Sequence, residues 1–377
     1  MGSARILKNL PNELQNLFKM KCALPSPSVR IFVRVIHALA KLGDYIYFEA
    51  EKEQLVIKTV NSSRSVFVVF KLSKQFFISY EQETIALPQI CKLTSKSLLT
   101  VFRSTSLIDK SVETCLITMP NDMSELAIQL RCRFGVVRSY NLNIVECDVV
   151  DVPYSRNILP FHIGASSKTF SEAVLNFRNT IDEVTLVLEP TKIAMKNYVD
   201  DIQDPRKAIH TELSLSKDEF IDYTCKQGVD LTFNLKDFRV LLQFTELANY
   251  SIDLRFETSG DPIVASVDYE PLFTADFVLA TLDVTNVTQP TPPPIRDALN
   301  ASNINISSAK TPRSQRKRYP TSVTNSEGAP MENGHETPSQ SVIVKKMKRI
   351  FKRCFETSFS QRIQSNEQIL ALDSDED

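Results

Sequence analysis

Four segments of the chain have the hydrophobic spacing of amphipathic helices, and each carries Lys or Arg opposite its apolar side. The predicted helices span residues 29–42, 95–110, 166–178 and 235–247. In the first segment, Arg30, Arg34 and Lys41 fall on one face of a 3.6-residue period. The segments recur at intervals of about seventy residues, which indicates a repeated scaffold.

The polar faces of these segments supply the candidate nucleic-acid contacts. They are Arg30, Arg34, Lys41, Lys96, Arg103, Lys110, Lys168, Arg178, Lys236 and Arg239. The basic stripe is clear in the first two segments and weak in the last two. On its own, a charged stripe of this kind is more often the solvated face of an ordinary amphipathic helix.

Between the helical segments, apolar and polar residues alternate, which is typical of antiparallel strands. The first-half runs are residues 45–48, 55–57, 66–70, 115–118, 126–130 and 140–145. The second-half runs are residues 184–188, 193–196, 212–215, 229–235, 251–256, 262–267 and 277–282. We therefore predict an α+β fold of two similar domains, each made of two repeats of a helix followed by antiparallel strands.

Changes in composition along the chain predict its division into domains. We assign residues 20–147 to the first domain and 163–285 to the second. The linker, 148–162, holds Pro153 and Pro160 and lacks clear periodicity. Residues 1–19 form an N-terminal extension of no assigned function. Residues 286–377 are rich in Pro, Ser and Thr with little apolar periodicity, so we expect a disordered tail.

Charge and cysteine content exclude several classes of protein. The 377 residues include 44 Lys and Arg against 45 Asp and Glu, a net charge of -1, so any nucleic-acid contact must be a local patch. The seven cysteines never fall at CxxC spacing, and we expect most of them to be buried in a reducing compartment. Since no apolar run reaches the length of a bilayer span, we expect a soluble intracellular protein without a membrane partner.

Several segments together carry a resemblance to a known family. They include Val60-Asn61-Ser62-Ser63-Arg64-Ser65, Phe134-Gly135-Val136 and Phe277-Val278-Leu279-Ala280-Thr281-Leu282. In this order the segments resemble the Rad-nine family, a subunit of the heterotrimeric checkpoint sliding clamp called the nine-one-one complex. The resemblance covers most of residues 20–282.

The resemblance implies a fold and a set of partners. The fold would be two PCNA-like clamp domains, and the chain would join two other clamp subunits in a closed ring around double-stranded DNA. It further implies a clamp loader, checkpoint kinases, repair enzymes that bind near the interdomain linker, and a nuclear location. A ring interior lined by cations and free of base-reading groups suits a clamp that slides.

The predicted tail contains candidate regulatory sites. Ser-Gln pairs and Thr-Pro pairs mark kinase targets at Ser314, Ser339, Ser360, Thr311 and Thr337. Phosphate on Ser374, within a dense acidic terminus, would suit a BRCT-domain scaffold, which the resemblance also implies. A basic cluster is the predicted nuclear localisation signal: Arg313, Arg316, Lys317 and Arg318.

Catalytic chemistry has few candidates in this sequence. The chain lacks GxGxxG, GxxxxGK[ST], HExxH and GxSxG motifs, so we predict no catalytic residue, metal or cofactor. Asp268 and Glu270 have the D-x-E spacing of two-metal nucleases, although a loop end before Pro271 explains that pair better. A homotrimeric processivity clamp and a 3'-5' exonuclease remain the alternative functions.

Overall fold

The computed structural model describes residues 18–82, 89–120, 124–146, 152–198 and 210–282. Residues 1–17 of the predicted extension and all of the predicted tail lie outside the described residues. In the described ranges, no helix combines the length and the apolar composition that a bilayer-spanning helix needs.

The first half of the chain alternates helices with antiparallel strands. Its elements are β1 (Phe18–Pro25), α1 (Ser26–Leu42), β2 (Tyr45–Ala50), β3 (Gln54–Val60), β4 (Val66–Ser73), β5 (Ser79–Gln82), β6 (Gln89–Thr94), α2 (Ser95–Val101), α3 (Thr105–Ser111), β7 (Val112–Pro120), β8 (Glu125–Cys132) and β9 (Val137–Asn143).

The second half repeats this order of elements. It comprises β10 (Phe161–Ser166), α4 (Ser167–Leu175), β11 (Glu183–Leu188), β12 (Lys192–Asn197), β13 (Glu212–Ser216), β14 (Asp222–Thr224), β15 (Val229–Asn234), α5 (Leu235–Thr245), β16 (Ser251–Phe256), β17 (Ile263–Tyr269) and β18 (Phe273–Leu279). Each half thus runs strand, helix, five strands, helical segment and three strands, which confirms the predicted two similar domains.

The strands form three antiparallel sheets, and the largest crosses both halves. The orders are β5-β1-β7-β8-β9, β14-β10-β16-β17-β18-β4-β3-β2-β6, and β13-β12-β11-β15. Strands β18 and β4 join the halves, with Phe273 opposite Leu72 and Leu279 opposite Val66. The two halves are therefore parts of one continuous sheet rather than independent units on a loose tether.

The three sheets contain an internal repeat. The sheet β5-β1-β7-β8-β9 has the same order as the segment β14-β10-β16-β17-β18, and β4-β3-β2-β6 corresponds to β13-β12-β11-β15. In this correspondence β9 is the counterpart of β18, and β13 is the counterpart of β4. The counterparts of the two joining strands are thus the outer strands of the two smaller sheets.

The central strands of the nine-stranded sheet are buried on both faces: successive side chains point to opposite faces, and in β3, β4, β17 and β18 most of them are buried. One face packs against the helices, where Phe32 of α1 lies 6.4 Å from Phe48 and Phe244 of α5 lies 5.0 Å from Phe70, measured between ring centroids. On the other face, Val152 and Tyr154 of the linker cover a smaller apolar cluster that includes Val264. Each buried phenylalanine stabilises the fold by roughly 1.5–3 kcal/mol.

The end of α1 requires a glycine. The amide of Gly43 donates to the Leu39 carbonyl at 2.9 Å, and a Cβ at Gly43 would lie 2.1 Å from Oγ1 of Thr59. A larger residue would push α1 away from β3, so this position fixes how closely the helix packs on the sheet.

The cysteines of the described residues are buried, and no two of them form a disulfide. They are Cys22, Cys91, Cys115, Cys132 and Cys225. Burial raises the pKa of the Cys22 and Cys115 thiols, which keeps them protonated and unreactive. This agrees with their expected role as small apolar residues, while Cys147 and Cys354 lie outside the described residues.

Candidate nucleic-acid interface

Helix α1 carries two arginines that are held at its surface by α3. Arg30 donates from Nη2 to the Asp109 carbonyl at 3.2 Å, and Arg34 pairs from Nη2 with Oδ2 of Asp109 at 3.3 Å. Both contacts are long, and each guanidinium has five N–H donors. Arg30 is exposed and the Arg34 side chain retains 29% exposure, so both have donors left for a ligand.

The same face of α1 continues to its C-terminal turn. Lys41 is exposed and donates from Nζ to Oε1 of Gln243 at 2.6 Å, which links α1 to α5. His37 lies between these cations, with Nε2 2.7 Å from the Phe102 carbonyl. This contact links α1 to the residue at the end of α2.

The predicted second helix, residues 95–110, is wrong as a single helix. The chain leaves the helical conformation at Phe102, and Ser104 caps a new helix by accepting from the Leu107 amide at 3.4 Å. The Phe102 carbonyl, which a continuous helix would use internally, instead contacts His37. As a result Lys96, on α2, and Lys110, on α3, do not share one helix face.

Three predicted cations of this region are exposed and unpaired in the described part of the chain. Lys96, Arg103 and Lys110 are exposed, and their side chains have no hydrogen-bond or ion-pair partner within the described ranges. Arg103 lies in the short connection between α2 and α3. Because α2 and α3 both pack on α1, the break in the helix leaves these charges in the same layer as Arg30 and Arg34.

The cations of the second half have local partners. Lys236 pairs with Oδ1 of Asp182 at 2.7 Å, and Lys168 pairs with Oε1 of Glu172 at 3.6 Å. Arg239 donates from Nη2 to the Phe177 carbonyl at 2.8 Å and to the Arg178 carbonyl at 3.3 Å, and burial lowers its pKa. The Lys236 and Arg239 contacts tie α5 to the segment that follows α4, whereas the Lys168 pair lies within α4.

Arg178 differs from these three second-half cations. Its side chain is exposed and, in the described part of the chain, has no hydrogen-bond or ion-pair partner. It lies beyond the end of α4 because that helix ends at Leu175 and not, as predicted, at residue 178. The adjoining carbonyls are satisfied by Arg239, so the turn is fixed while the Arg178 guanidinium stays available.

A buried carboxyl lies where the two halves meet. Asp237, in the first turn of α5, is hydrogen-bonded to Ser65 of the β3–β4 turn, and burial raises its pKa to about 6. The Asn234 side chain caps the same helix by accepting from the Asp237 amide at 3.1 Å. The sequence does not reveal this contact, because Ser65 and Asp237 belong to different halves.

A second surface lies on the opposite face of the large sheet, along the linker. Arg156 donates from Nε to Asp276 at 2.6 Å and from Nη1 to both carboxylate oxygens of Asp268 at 2.9 Å. The Tyr154 hydroxyl donates to Asp276 at 2.7 Å. Beside this network is a cleft of about 770 Å³ that Ile158 and Lys71 also line. Sequence reasoning missed this network, whose partners are more than a hundred residues apart.

This network gives Asp268 a structural role. Asp268 lies within β17 and is paired with Arg156, so the loop-end explanation does not apply to it. It does apply to Glu270, which precedes Pro271 in the turn after that strand. Among the described residues, no group of three or more His, Cys, Asp or Glu could hold a metal ion. The arrangement offers no support for the two-metal interpretation of this pair.

The predicted tail sites cannot be related to this geometry. The candidate phosphorylation sites and localisation residues lie outside the described residues: Ser314, Ser339, Ser360, Ser374, Thr311, Thr337, Arg313, Arg316, Lys317 and Arg318.

Sequence comparisons identify related proteins. A family model described as Rad9 matches residues 32–282. The cell cycle checkpoint control protein Rad9 of Drosophila melanogaster is 24% identical over 263 residues, which are 70% of this chain and 57% of that protein. The DNA repair protein rad9 of Schizosaccharomyces pombe is 21% identical over 300 residues, covering 70% of each. The chain thus matches little more than half the length of the Drosophila relative.

Solved structures share the fold. PCNA from Thermococcus kodakaraensis superposes with a TM-score of 0.57 at 15% identity, over 70% of this chain and 99% of that one. Proliferating cellular nuclear antigen from Entamoeba histolytica gives a TM-score of 0.56 at 14% identity, with the same coverage. The fold of the described residues is therefore the PCNA-like sliding-clamp fold, as predicted.

Proposed function

The chain belongs to the Rad9 family, and on that basis we propose that it is a subunit of a DNA-damage checkpoint clamp. In this proposal it joins two other clamp subunits in a heterotrimeric ring that encircles double-stranded DNA. An ATP-driven loader, which the chain does not itself encode, places the ring on DNA. The subunit acts in the nucleus by staying on DNA and recruiting signalling and repair proteins, without catalysis of its own.

One observation carries the ring proposal: the outer strands β9 and β13 are the counterparts of β18 and β4. Inside the chain, β18 pairs with β4 and joins the two halves. The same pairing between β9 of one subunit and β13 of the next would repeat that joint from subunit to subunit. Repetition of a head-to-tail joint closes into a ring when the rotation permits.

The chemistry of the two edges supports pairing with a neighbour. Beside β9 the exposed residues are apolar and basic, with Phe134 fully exposed and Arg138 also exposed. At and beside β13 the exposed charged residues are mainly acidic, with Glu212, Asp218 and Glu219 against Lys217. An uncovered strand edge offers unpaired backbone groups to another strand, and opposite charges favour one orientation of approach.

The helix layer supplies the surface that would face DNA. Lys96, Arg103 and Lys110 are exposed and have no local partner among the described residues. We extend the assignment to all ten predicted cations, with the first-half residues as the main contacts. Contacts of this kind neutralise phosphates and read no sequence. They are suited to a ring that slides.

The tail and the linker would provide the recruitment functions. We propose that checkpoint kinases modify the tail and that phosphorylated Ser374 binds a BRCT-domain scaffold. Repair enzymes would bind the cleft beside Tyr154 and Arg156.

In pull-downs, Ser374→Ala is expected to abolish scaffold binding without affecting loading, whereas Ser360→Ala serves as a matched serine control. Equal capture of scaffold by parent and Ser374→Ala would contradict the assignment.

The heterotrimer is tested by mass and composition. Light scattering of the purified chain is expected to give no stable trimer, and co-purification from cells is expected to recover two further clamp-sized subunits. A stable trimer of this chain alone would support the homotrimeric alternative. Metal-dependent DNA degradation that is lost in Asp268→Ala would support the exonuclease alternative.

A further inference from the structure

A small cleft within the helix layer combines cations with aromatic rings. It has a volume of about 240 Å³ and opens between the N-terminal half of α1 and the C-terminal end of α5. Its lining includes Arg30, Arg34, Phe244, Leu247, Tyr250 and Tyr269. The two tyrosines were not among the candidate site residues predicted from the sequence.

The aromatic wall of the cleft is pre-formed. The rings of Tyr250 and Tyr269 lie 5.0 Å apart at an interplanar angle of 61°, and Tyr250 stacks on Phe244 at 5.9 Å and 27°. Tyr269 is 43% exposed, whereas Tyr250 is half-buried against Phe273 at 5.6 Å. Tyr250 is thus held in place by the core, and Tyr269 presents ring surface to the cleft.

The opposite wall is cationic. Arg30 and Arg34 are one helical turn apart on α1, and their contacts with Asp109 and with the Arg30 carbonyl occupy only some of their donors. No carboxylate is among the described residues that line the cleft, and Asp109 contacts Arg34 from α3. The cleft therefore offers guanidinium N–H groups beside exposed aromatic surface.

We infer that this cleft binds one unpaired nucleotide of single-stranded DNA, with the base against the tyrosines and the phosphate at the arginines. Bases stack on aromatic side chains regardless of their identity, and guanidinium groups bind phosphate through paired donors. The volume lies below the range of roughly 300–1,000 Å³ typical of sites for drug-sized ligands. It suits a single nucleotide, and bases paired within a duplex cannot reach it.

This inference rests on the proposed function, because it assumes that the helix layer faces DNA. It adds a contact that duplex binding does not require. A clamp placed where double-stranded DNA becomes single-stranded would meet unpaired nucleotides beside the duplex. Occupation of the cleft would then favour the ring at such a junction over continuous duplex.

The first test locates a single strand on the full-length chain. A short oligothymidine containing 5-iododeoxyuridine is photo-crosslinked to the protein, and the modified peptides are identified by mass spectrometry. We expect cross-links in the peptides that contain Tyr250 or Tyr269. Cross-links confined to the basic tail cluster at residues 313–318 would overturn the inference.

The second test measures affinity by fluorescence anisotropy at physiological ionic strength. Tyr269→Ala is expected to weaken binding of the oligothymidine by roughly 5- to 150-fold, the effect of one lost base-stacking contact, while Tyr269→Phe keeps the ring and restores binding. Tyr45→Ala is the matched control, since Tyr45 is 39% exposed and lies beside Lys92 away from the cleft. It is expected to bind like the parent.

Either of two results would contradict the cleft assignment. One is equal affinity of Tyr269→Ala and the parent, and the other is an equal loss in Tyr45→Ala. A competition experiment separates a nucleotide site from a peptide site. If an acidic peptide displaces the oligothymidine at a lower concentration than thymidine monophosphate does, the cleft is a peptide site instead. Retention of the assembled ring on closed duplex DNA is measured separately. A negative result for the cleft can therefore be distinguished from a negative result for the clamp proposal.

Discussion

The helix layer carries six of the predicted cations in the first half and four in the second, and the two groups differ in their local contacts. In the first half, Lys96, Arg103 and Lys110 extend from the surface without partners among the described residues. In the second half, Lys236 is paired with Asp182 at 2.7 Å, and Arg239 binds the carbonyls that end the α4 region. The exceptions in the first half are Arg30 and Arg34, which contact Asp109, and Lys41, which contacts Gln243. The exception in the second half is Arg178, which is exposed and has no side-chain partner in the described part of the chain.

This difference shows that a basic stripe in a sequence has two physical meanings. A cation with no local partner keeps its full charge for a ligand such as phosphate. A cation that satisfies a carboxylate or a helix-end carbonyl stabilises the fold and contributes less to binding. The first-half helices are therefore expected to dominate DNA contact, and the second-half charges to dominate the packing of α4 on α5.

The largest expected effect comes from reversing charge in each half separately. Lys96→Glu with Arg103→Glu should weaken retention of the assembled ring on DNA on the order of 30-fold at physiological salt, because two phosphate contacts are lost. Lys168→Glu with Lys236→Glu makes the same charge change at paired positions and should have a clearly smaller effect. Dissociation rates of the two double variants from DNA, measured at several salt concentrations, check both expectations. An equal loss of retention in the two variants would contradict the proposed difference between the halves.

The pH dependence of stability tests the buried carboxyl at the junction of the halves. The pKa of Asp237 is raised by burial from 3.8 to about 6, so between these values the native state binds more protons than the unfolded state. Its contribution to stability therefore falls as pH rises through this window and is constant above it. Asp237→Asn should gain stability relative to the parent between about pH 4 and pH 7, by at most about 3 kcal/mol.

Urea unfolding of the parent and the Asn variant at several pH values measures this difference. A stability difference that does not change with pH would show that Asp237 is not desolvated in the folded chain. Asp218→Asn, at an exposed position, is the matched control and should show little change.

Removing the arginine that binds the α4 turn should cost about 2 kcal/mol of unfolding free energy. Arg239→Gln loses the charged hydrogen bonds to the Phe177 and Arg178 carbonyls, and bonds to charged groups contribute roughly 1.5–3 kcal/mol. Arg178→Gln removes an open charge and should change stability by less than about 0.5 kcal/mol. Urea denaturation compares the two, and an equal effect would contradict the structural role of Arg239.

The smallest effect is expected at an exposed pair within α4. Lys168→Ala breaks the contact with Glu172 at 3.6 Å, where both side chains are more than half exposed. Pairs of this kind contribute about 0.3–0.5 kcal/mol, so thermal unfolding should change little. A loss of stability as large as that of Arg239→Gln would mean that side-chain exposure does not distinguish cations that stabilise the fold from cations that do not.

Much of the fold follows from local sequence patterns. Periodicity located all four helical regions, and the alternation of Leu126, Ile128 and Leu130 identified β8. The pattern could also have identified β1, where Met20, Cys22 and Leu24 alternate and are fully buried, and β10, where Phe161, Ile163 and Ala165 do the same. Strands β5 and β14 are short and carry little periodic signal, which explains why the sequence analysis missed them. It also missed β6, which is longer.

The site was harder to predict, because its determinants are tertiary. The break at Phe102 depends on His37, and the capture of Arg239 depends on carbonyls about sixty residues earlier in the chain. The Arg156 network and the pairing of Tyr250 with Tyr269 likewise appear only once the strands are assembled. A sequence pattern places a cation on a surface, but it does not reveal whether a local group already binds it.

Release from cut DNA is the most direct test of the central claim that this subunit forms part of a closed ring around the duplex. The chain, assembled with its partner subunits, is loaded onto a nicked circular plasmid, which is then linearised, and the protein that stays bound is measured over time. We predict that the protein stays on the circular plasmid and is lost rapidly from linear DNA with free ends. Blocking the ends should prevent that loss. Equal retention on circular and linear DNA would contradict encirclement.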